Sequence, residues 1–418
     1  MSTVKKSLGV IGVSTLFALS TACQNEGNNN ASTPKERVDI TLTRTEQGLL
    51  DASTSFAFDF FRQVNTSETK KPNFFISPLS ASLCLSMIAN GADHNTLSEM
   101  LRVLGFPADT YTIDDMNSYH KKLVEALLNL DNTTQLAIAN SIWIKEGFGV
   151  YNDFINVNKQ MYDAQVRELD FTSPNAVDII NRWCADNTNN LITDVLQEIP
   201  SNVRLYLINA LYFKGIWKEK FKTENTRKEP FTNEDGKQST IQMMSQEKRF
   251  PYYQDDNMAM VNLPYGNGAF SMVVMLPHEG KSLDACIQAL TAEQWKAYNA
   301  QLYGCQIDLK LPRFKMEYDK DLKDDMKTLG LKDAFDPIEA DFSQMAKESL
   351  YVSLLKQFTY LNVDEEGTEA AAVTIGGMGL TSIEPRESVP FHVNRPFAFF
   401  IKEHSTGAIL FMGKVTEL

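Results

Sequence analysis

Apolar positions recur along this chain with two different periods. From Thr45 onward, Leu49, Phe56, Phe60 and Val64 fall on one face of a 3.6-residue repeat, which predicts an amphipathic helix. Asn73-Phe-Phe-Ile-Ser-Pro78 is a short apolar piece that ends at a breaker. Residues 79–92 are apolar nearly all round and predict a central, buried helix that ends near Gly91. Thr96-Leu-Ser-Glu99 reads as a capping box opening the next helix. Further on the period changes to two. Leu136, Ile138, Ile142 and Ile144 alternate as in a strand, and 203–213 is a strongly apolar strand closed by Lys214-Gly215. Residues 258–263 and 270–276 predict strands around the Pro-Tyr-Gly-Asn-Gly turn at 264–268. Residues 306–311 alternate too, and 397–401 with 409–415 read as a hairpin. Helices dominate early and strands late, with no repeat period, which predicts an α+β fold. No low-complexity seam interrupts the chain after residue 45, so one large domain is expected.

Composition narrows the function classes. Hydrophobic residues are 43% and charged residues 22%, a globular balance. The formal net charge of −13 argues against a nucleic-acid binder held by phosphate contacts. No apolar run reaches the roughly 18 residues of a spanning helix. The first residues read as an address: Lys5 and Lys6, an apolar run at 8–19, then Ser20, Thr21 and Ala22 before Cys23. A Cys at that position resembles the lipid-attachment Cys of bacterial lipoproteins. The expected division is a signal peptide at 1–22, a polar tether at 23–44 and a domain at 45–418. Ordinary secretion with free release is the other reading. Of the remaining cysteines, Cys84 and Cys286 sit in apolar helical patterns and read as buried thiols; Cys184 and Cys305 are as far apart, no C-x-x-C pair occurs, and the pairing stays open.

Residues 364–388 fit neither a loop nor a permanent strand. From Thr368, the alternate residues Ala370, Ala372, Thr374, Gly376 and Met378 are uncharged and mostly small, so they could line the core face of a sheet. Glu369, Ala371, Val373 and Ile375 would face outward. Gly376, Gly377 and Gly379 disfavour a strand that is always formed. The segment is suited to being a loop in one state and a strand in another.

Five motifs in order make the chain resemble the serpin family. Glu365-Glu-Gly-Thr-Glu-Ala-Ala-Ala-Val-Thr374 is similar to the hinge of inhibitory members. Phe75-Ile-Ser-Pro-Leu-Ser80, Asn209-Ala-Leu-Tyr-Phe-Lys-Gly-Ile-Trp217, Asn394-Arg-Pro-Phe397 and Phe411-Met-Gly-Lys414 resemble four further family motifs. The resemblance runs from about residue 45 to the end. It implies three β-sheets, a surround of helices and an exposed reactive loop at about 365–390. It also implies a function, suicide inhibition of serine peptidases, with papain-like cysteine peptidases as a further class. A peptidase cleaves the loop and is acylated, the loop enters the main sheet, and the distorted enzyme stalls. Insertion of a serpin's loop into its own sheet is itself a standard case of strand addition.

The resemblance also places the working residues. Counting along the family's loop from Glu365 puts the scissile bond at Thr381–Ser382, while counting back from Pro396 gives Pro385, so the bond lies within 378–386. Thr381 suits an elastase-like pocket, Leu380 or Met378 a chymotrypsin- or cathepsin-like one, and Arg386 a trypsin-like one. The hinge is Glu365, Glu366, Gly367, Thr368, Glu369, Ala370, Ala371 and Ala372. Ser77 and Asn209 resemble a polar cluster beneath the opening sheet, with Gln357 where the family usually has His. Arg313 resembles the base that pairs with the hinge acid Glu365, and Trp217 the aromatic at the insertion point. The implied protein is not an enzyme. It needs no cofactor or metal, is a monomer, and forms a covalent 1:1 complex with its target peptidase. It touches a membrane only through an N-terminal lipid.

Two rivals remain at this level. A non-inhibitory serpin would act as a binding or scaffold module whose loop is cut without trapping. A ligand-binding lipoprotein would hold a stable pocket. A hydrolase lacks support, because H-E-x-x-H and G-x-S-x-G are absent and the five His show no ligand spacing.

Overall fold

The computed structural model describes residues 35–368 and 387–418. Nine α-helices occur among them: α1 Arg44–Ser67, α2 Pro78–Ala89, α3 His94–Val103, α4 Ile113–Leu127, α5 Asn152–Tyr162, α6 Ala176–Asn187, α7 Leu283–Ala289, α8 Ala292–Ala300 and α9 Lys323–Leu329. The strands are β1 Phe74–Ile76, β2 Gln135–Lys145, β3 Gln165–Leu169, β4 Leu205–Ile216, β5 Arg227–Thr232, β6 Gln238–Gln254, β7 Met258–Pro264 and β8 Phe270–Pro277. They continue with β9 Tyr303–Pro312, β10 Phe314–Asp321, β11 Lys356–Val363, β12 Gly367–Thr368, β13 Val389–His392, β14 Phe397–Glu403 and β15 Ile409–Val415. None of the described helices is long and apolar enough to cross a membrane.

The strands form two hydrogen-bonded sheets. One has six strands in the order β10-β11-β12-β4-β2-β3. The other has nine, in the order β1-β15-β14-β8-β7-β6-β9-β13, with β5 paired to β6. The 17-residue β6 pairs with β7 near its end and with β9 along most of its length, so it joins two halves that the resemblance counts as separate sheets.

Helix α2 explains its own composition. It packs against β4 of one sheet and β15 of the other, so all twelve of its residues are buried. Pro78 opens it at a position where no N–H is needed, and the Ser77 hydroxyl caps it by accepting from Ser80 N at 3.1 Å. Helix α1 lays Leu49, Leu50, Phe56, Phe60, Phe61 and Val64 on the core and starts with a capping box of Thr43 and Glu46.

Four local expectations change. Thr96 and Glu99 lie inside α3, whose N-cap is Asp93. Their side chains serve distant backbone instead: Thr96 Oγ1 accepts from Asp341 N, and Glu99 Oε2 from Lys332 N and Asp333 N. The apolar strand does not close at Lys214-Gly215 but runs on to Ile216, because the hinge pairs there. Cys184 is buried and Cys286 only half-buried; Cys84, Cys184, Cys286 and Cys305 are free thiols, and burial pushes those of Cys84 and Cys184 up to about 12. Residues 35–43, read as the end of a tether, lack regular structure yet are tied down. Lys35 N donates to Asn132 Oδ1 at 2.8 Å, Ile40 N donates to Ser405 Oγ at 3.0 Å, and Ile40 and Leu42 pack on the core.

Candidate functional site

The middle of the six-stranded sheet is incomplete. β4 and β11 are neighbours only through β12, which contributes two residues: Thr368 pairs with Val363 on one side and Gly215 on the other, and Gly367 pairs with Ile216. Beyond Thr368 the facing edges of β4 and β11 share no ladder among the described residues. A cavity of about 220 Å³ opens at that level, between Leu205, Leu207 and Asn209 on one side and Leu355 and Gln357 on the other, over Cys84 of α2. Unpaired strand edges of this kind are a template for a further strand.

The head of this slot is clamped. Trp217 N donates to Glu366 O at 2.8 Å, Phe221 N to Glu365 O at 3.0 Å, and the Trp217 indole Nε1 to Asp364 O at 2.9 Å. Glu365 is only 3% exposed; its carboxylate accepts from the Arg313 guanidinium through Nε and Nη2 and from Thr226 Oγ1 at 2.7 Å. Burial alone would raise its pKa, but the Arg313 and Thr226 hydrogen bonds outweigh that and hold the carboxyl below its ordinary range. Asp364 next to it is pushed the other way, chiefly by burial. Lys220 pairs with Glu366.

The first rung is packed without slack. Thr368 is 1% exposed, and its Oγ1 shares a 2.6 Å hydrogen bond with the Tyr265 hydroxyl. Tyr265 stacks on Trp217 with centroids 4.5 Å apart and an interplanar angle of 11°. Gly367 has φ +156°, and a Cβ there would lie 2.0 Å from Gly215 O. Gly367→Ala therefore prises β12 from β4. We expect faster hydrogen exchange at Trp217 and Phe221 amides in that variant, with β14 and β15 unchanged.

Lower down, the polar cluster is split between the two sides. Gln357 holds the Ser77 backbone from both ends, accepting from Ser77 N at 2.9 Å and donating to Ser77 O at 2.8 Å. Ser77 Oγ donates to Leu410 O at 2.7 Å. Asn209 is not part of this set; its Nδ2 donates to Asn140 Oδ1 at 2.7 Å, and its Oδ1 has no partner among the described residues. Gln357→Ala would strand Ser77 N in the core at a cost of ~1–3 kcal/mol, while Ser77 O keeps its bond from Ala81 N at 3.1 Å. A urea melt would show this as a lower midpoint with an unchanged slope.

Of the sequence candidates, the structure brings together Trp217, Arg313, Glu365, Glu366, Gly367 and Thr368 at the head and Ser77 with Gln357 below. Glu369, Ala370, Ala371, Ala372, Met378, Leu380, Thr381, Ser382, Arg386 and Cys23 lie outside the described residues. Tyr265, Thr226 and Lys220 were not singled out from the sequence. Tyr265 sits in a turn whose glycines announce only a hairpin, and nothing local reveals that its ring reaches another sheet.

The comparisons agree with this geometry. The family described as "Serpin (serine protease inhibitor)" matches residues 51–418. The chain is similar to the leukocyte elastase inhibitor of Equus caballus, with 34% identity over 382 residues that cover 88% of this chain and 99% of the relative. It is similar in structure to the thermophilic serpin tengpin in its native state, with a TM-score of 0.82, 31% identity, and coverage of 93% of this chain and 98% of tengpin. Human thyroxine-binding globulin gives a TM-score of 0.81 at 26% identity, covering 89% of this chain and 99% of that one. The chain belongs to the serpin family. Its architecture is the α+β serpin fold, and that family is one of protease inhibitors rather than catalysts.

Proposed function

We propose that this serpin is a suicide-substrate inhibitor of serine peptidases, with papain-like cysteine peptidases as a second class of target. The observation that carries this reading is the open slot between β4 and β11, with Thr368 already seated at its head. Continuing that register places Ile375 opposite Lys356 and Met378 opposite Leu205, the first residues of β11 and β4. Ala370, Ala372, Thr374, Gly376 and Met378 then share the buried face of Thr368. That face holds no charge, as a core-facing strand requires.

Filling the slot makes on the order of ten ladder hydrogen bonds, each with a net value of ~1 kcal/mol. The eleven residues from Thr368 to Met378 are ten steps apart end to end, ~33 Å at ~3.3 Å per residue. An acyl group on Thr381 would thus be carried from the head of the sheet past the foot of β4. Cleavage at Thr381–Ser382 suits an elastase-like enzyme; cleavage after Met378 or Leu380 would suit a chymotrypsin- or cathepsin-like one, and after Arg386 a trypsin-like one. The driving energy is stored in the unfilled sheet, and export with a lipid on Cys23 would place the inhibitor at a bacterial envelope.

A second reading, a serpin whose loop is cut without trapping, is favoured by Gly376, Gly377 and Gly379, which weaken an inserted strand. One experiment separates the two. The chain lacking Cys23 is mixed with pancreatic and neutrophil elastases, chymotrypsin, trypsin and a papain-like enzyme. The inhibitor reading expects a complex that survives a denaturing gel and a released peptide that begins at Ser382. Cleavage across the whole panel with no complex would favour the second reading.

A further inference from the structure

We propose that Asp131, between α4 and β2, is a positioning residue for loop insertion, acting through the 264–268 turn on Tyr265. The inference rests on the insertion mechanism proposed above and deepens it.

Asp131 is 6% exposed and lies outside the slot. Its Oδ1 accepts from Thr133 N at 2.8 Å and Thr133 Oγ1 at 2.7 Å. Its Oδ2 accepts from Thr134 Oγ1 at 3.0 Å and, across the fold, from Asn267 N at 3.1 Å. A carboxylate removed from water is costly unless its oxygens are satisfied, and these partners are neutral donors fixed in direction. The turn is pressed onto this anchor. Gly266 has φ +42°, and a Cβ there would lie 2.1 Å from Asp131 Oδ2 and 2.2 Å from Thr133 Oγ1. Asn267 Nδ2 adds a second tie to Leu130 O at 2.9 Å.

The other side of the turn carries the hinge. Gly266 N donates to Ile216 O at 2.7 Å and Lys218 N to Pro264 O at 2.9 Å, so the turn grips the backbone on both sides of Trp217. Tyr265, between those two bonds, stacks on Trp217 and bonds Thr368. Asp131 therefore fixes one face of a short turn whose opposite face sets both the aromatic stack and the first rung. A shift of the turn by a few tenths of an ångström would stretch the 2.6 Å Tyr265–Thr368 bond and slide the stack together. The seated Thr368 is the rung from which the rest of the strand continues, and a looser rung is less often in register, so the effect should appear in insertion rate.

The test follows insertion in stopped flow through intrinsic tryptophan fluorescence after loop cleavage by excess peptidase. Four proteins are compared: wild type, Asp131→Asn, Tyr265→Phe and the double variant. Asp131→Asn keeps the shape but leaves one acceptor oxygen for two backbone donors, so either Asn267 N or Thr133 N loses its partner and the tie between anchor and turn slackens. Tyr265→Phe keeps the stack and removes only the hydroxyl. Each single variant should insert about fivefold more slowly, the worth of one net hydrogen bond. The double should be slowed by clearly less than the product of the two singles, because Asp131 acts partly through that hydroxyl and partly through the stack that Tyr265→Phe keeps. Insertion of Asp131→Asn at the wild-type rate, or a double whose slowing is the product of the two singles, would overturn the inference. So would equal slowing of all variants in step with their loss of melting temperature before cleavage, which a merely structural role would give. A wild-type protein whose cleaved form melts no higher than the intact one would instead remove the insertion mechanism itself. That failure is separate, because it appears without any variant.

Discussion

Under the proposed mechanism, Ala372→Arg should turn this serpin from an inhibitor into a substrate. By the register of the first rung, Ala372 would enter the slot opposite Thr359 and Leu211, both buried, and on the same face as Thr368. An unpaired guanidinium there costs several kcal/mol. Completing the strand gains only on the order of 10 kcal/mol in hydrogen bonds. Insertion slows while deacylation keeps its rate, so hydrolysis wins. The expected result is cleavage at the wild-type rate with no covalent complex on a denaturing gel. Ala371→Arg is the control: its side chain belongs to the outward set, and complex formation should survive.

Arg313→Ala should give the largest change in pH dependence. Glu365 is almost fully buried while Arg313 is 45% exposed, so the penalty lies below the 3–5 kcal/mol typical of breaking a fully buried pair, at ~1–3 kcal/mol. The sign follows from the depressed pKa of Glu365. A carboxylate held below its ordinary value of 4.5 contributes stability above that value and loses it as pH falls through the depressed one. Asp364 opposes this trend, because burial raises its pKa and protonation relieves a cost. Wild-type melting temperature should therefore drop more steeply in acid than that of Arg313→Ala, whose Glu365 has already lost its main partner. Thermal melts of the two proteins at neutral and acidic pH measure the difference directly.

Much of the scaffold was legible because its periods are local. α1 and α2, and the hairpins β7–β8 and β14–β15, need only apolar spacing and turn residues. The misses have non-local causes. β6 carries Glu247, Lys248 and Arg249 in its middle, so its 17 residues do not read as one strand, although β9 pairs with that stretch. Thr96 and Glu99 spell a capping box, but their oxygens go to backbone more than two hundred residues away. In the sequence, Lys214-Gly215 reads as a strand end. Gly215 is a glycine inside a strand because a Cβ there would meet the Tyr265 ring at 2.8 Å.

The site divides in the same way. Glu365, Arg313 and Trp217 were reachable through family resemblance, not through their own chemistry. Tyr265 and Asp131 were not reachable, since their meaning lies in a turn wedged between two sheets. Gln357 was expected to join Ser77 and Asn209 in one network. The oxygen and the nitrogen of its one side-chain amide instead take the N–H and the C=O of Ser77, which leaves Asn209 to Asn140.

The proposed mechanism requires the cleaved loop to fill the gap between β4 and β11. Hydrogen exchange measured on those two strands before and after loop cleavage tests it most directly. Insertion predicts that the gap-facing amides of Leu205–Ile216 and Lys356–Val363 become strongly protected once the loop is cut, while those of β14 and β15 stay as they were. Unchanged exchange along both strands after complete cleavage would contradict it.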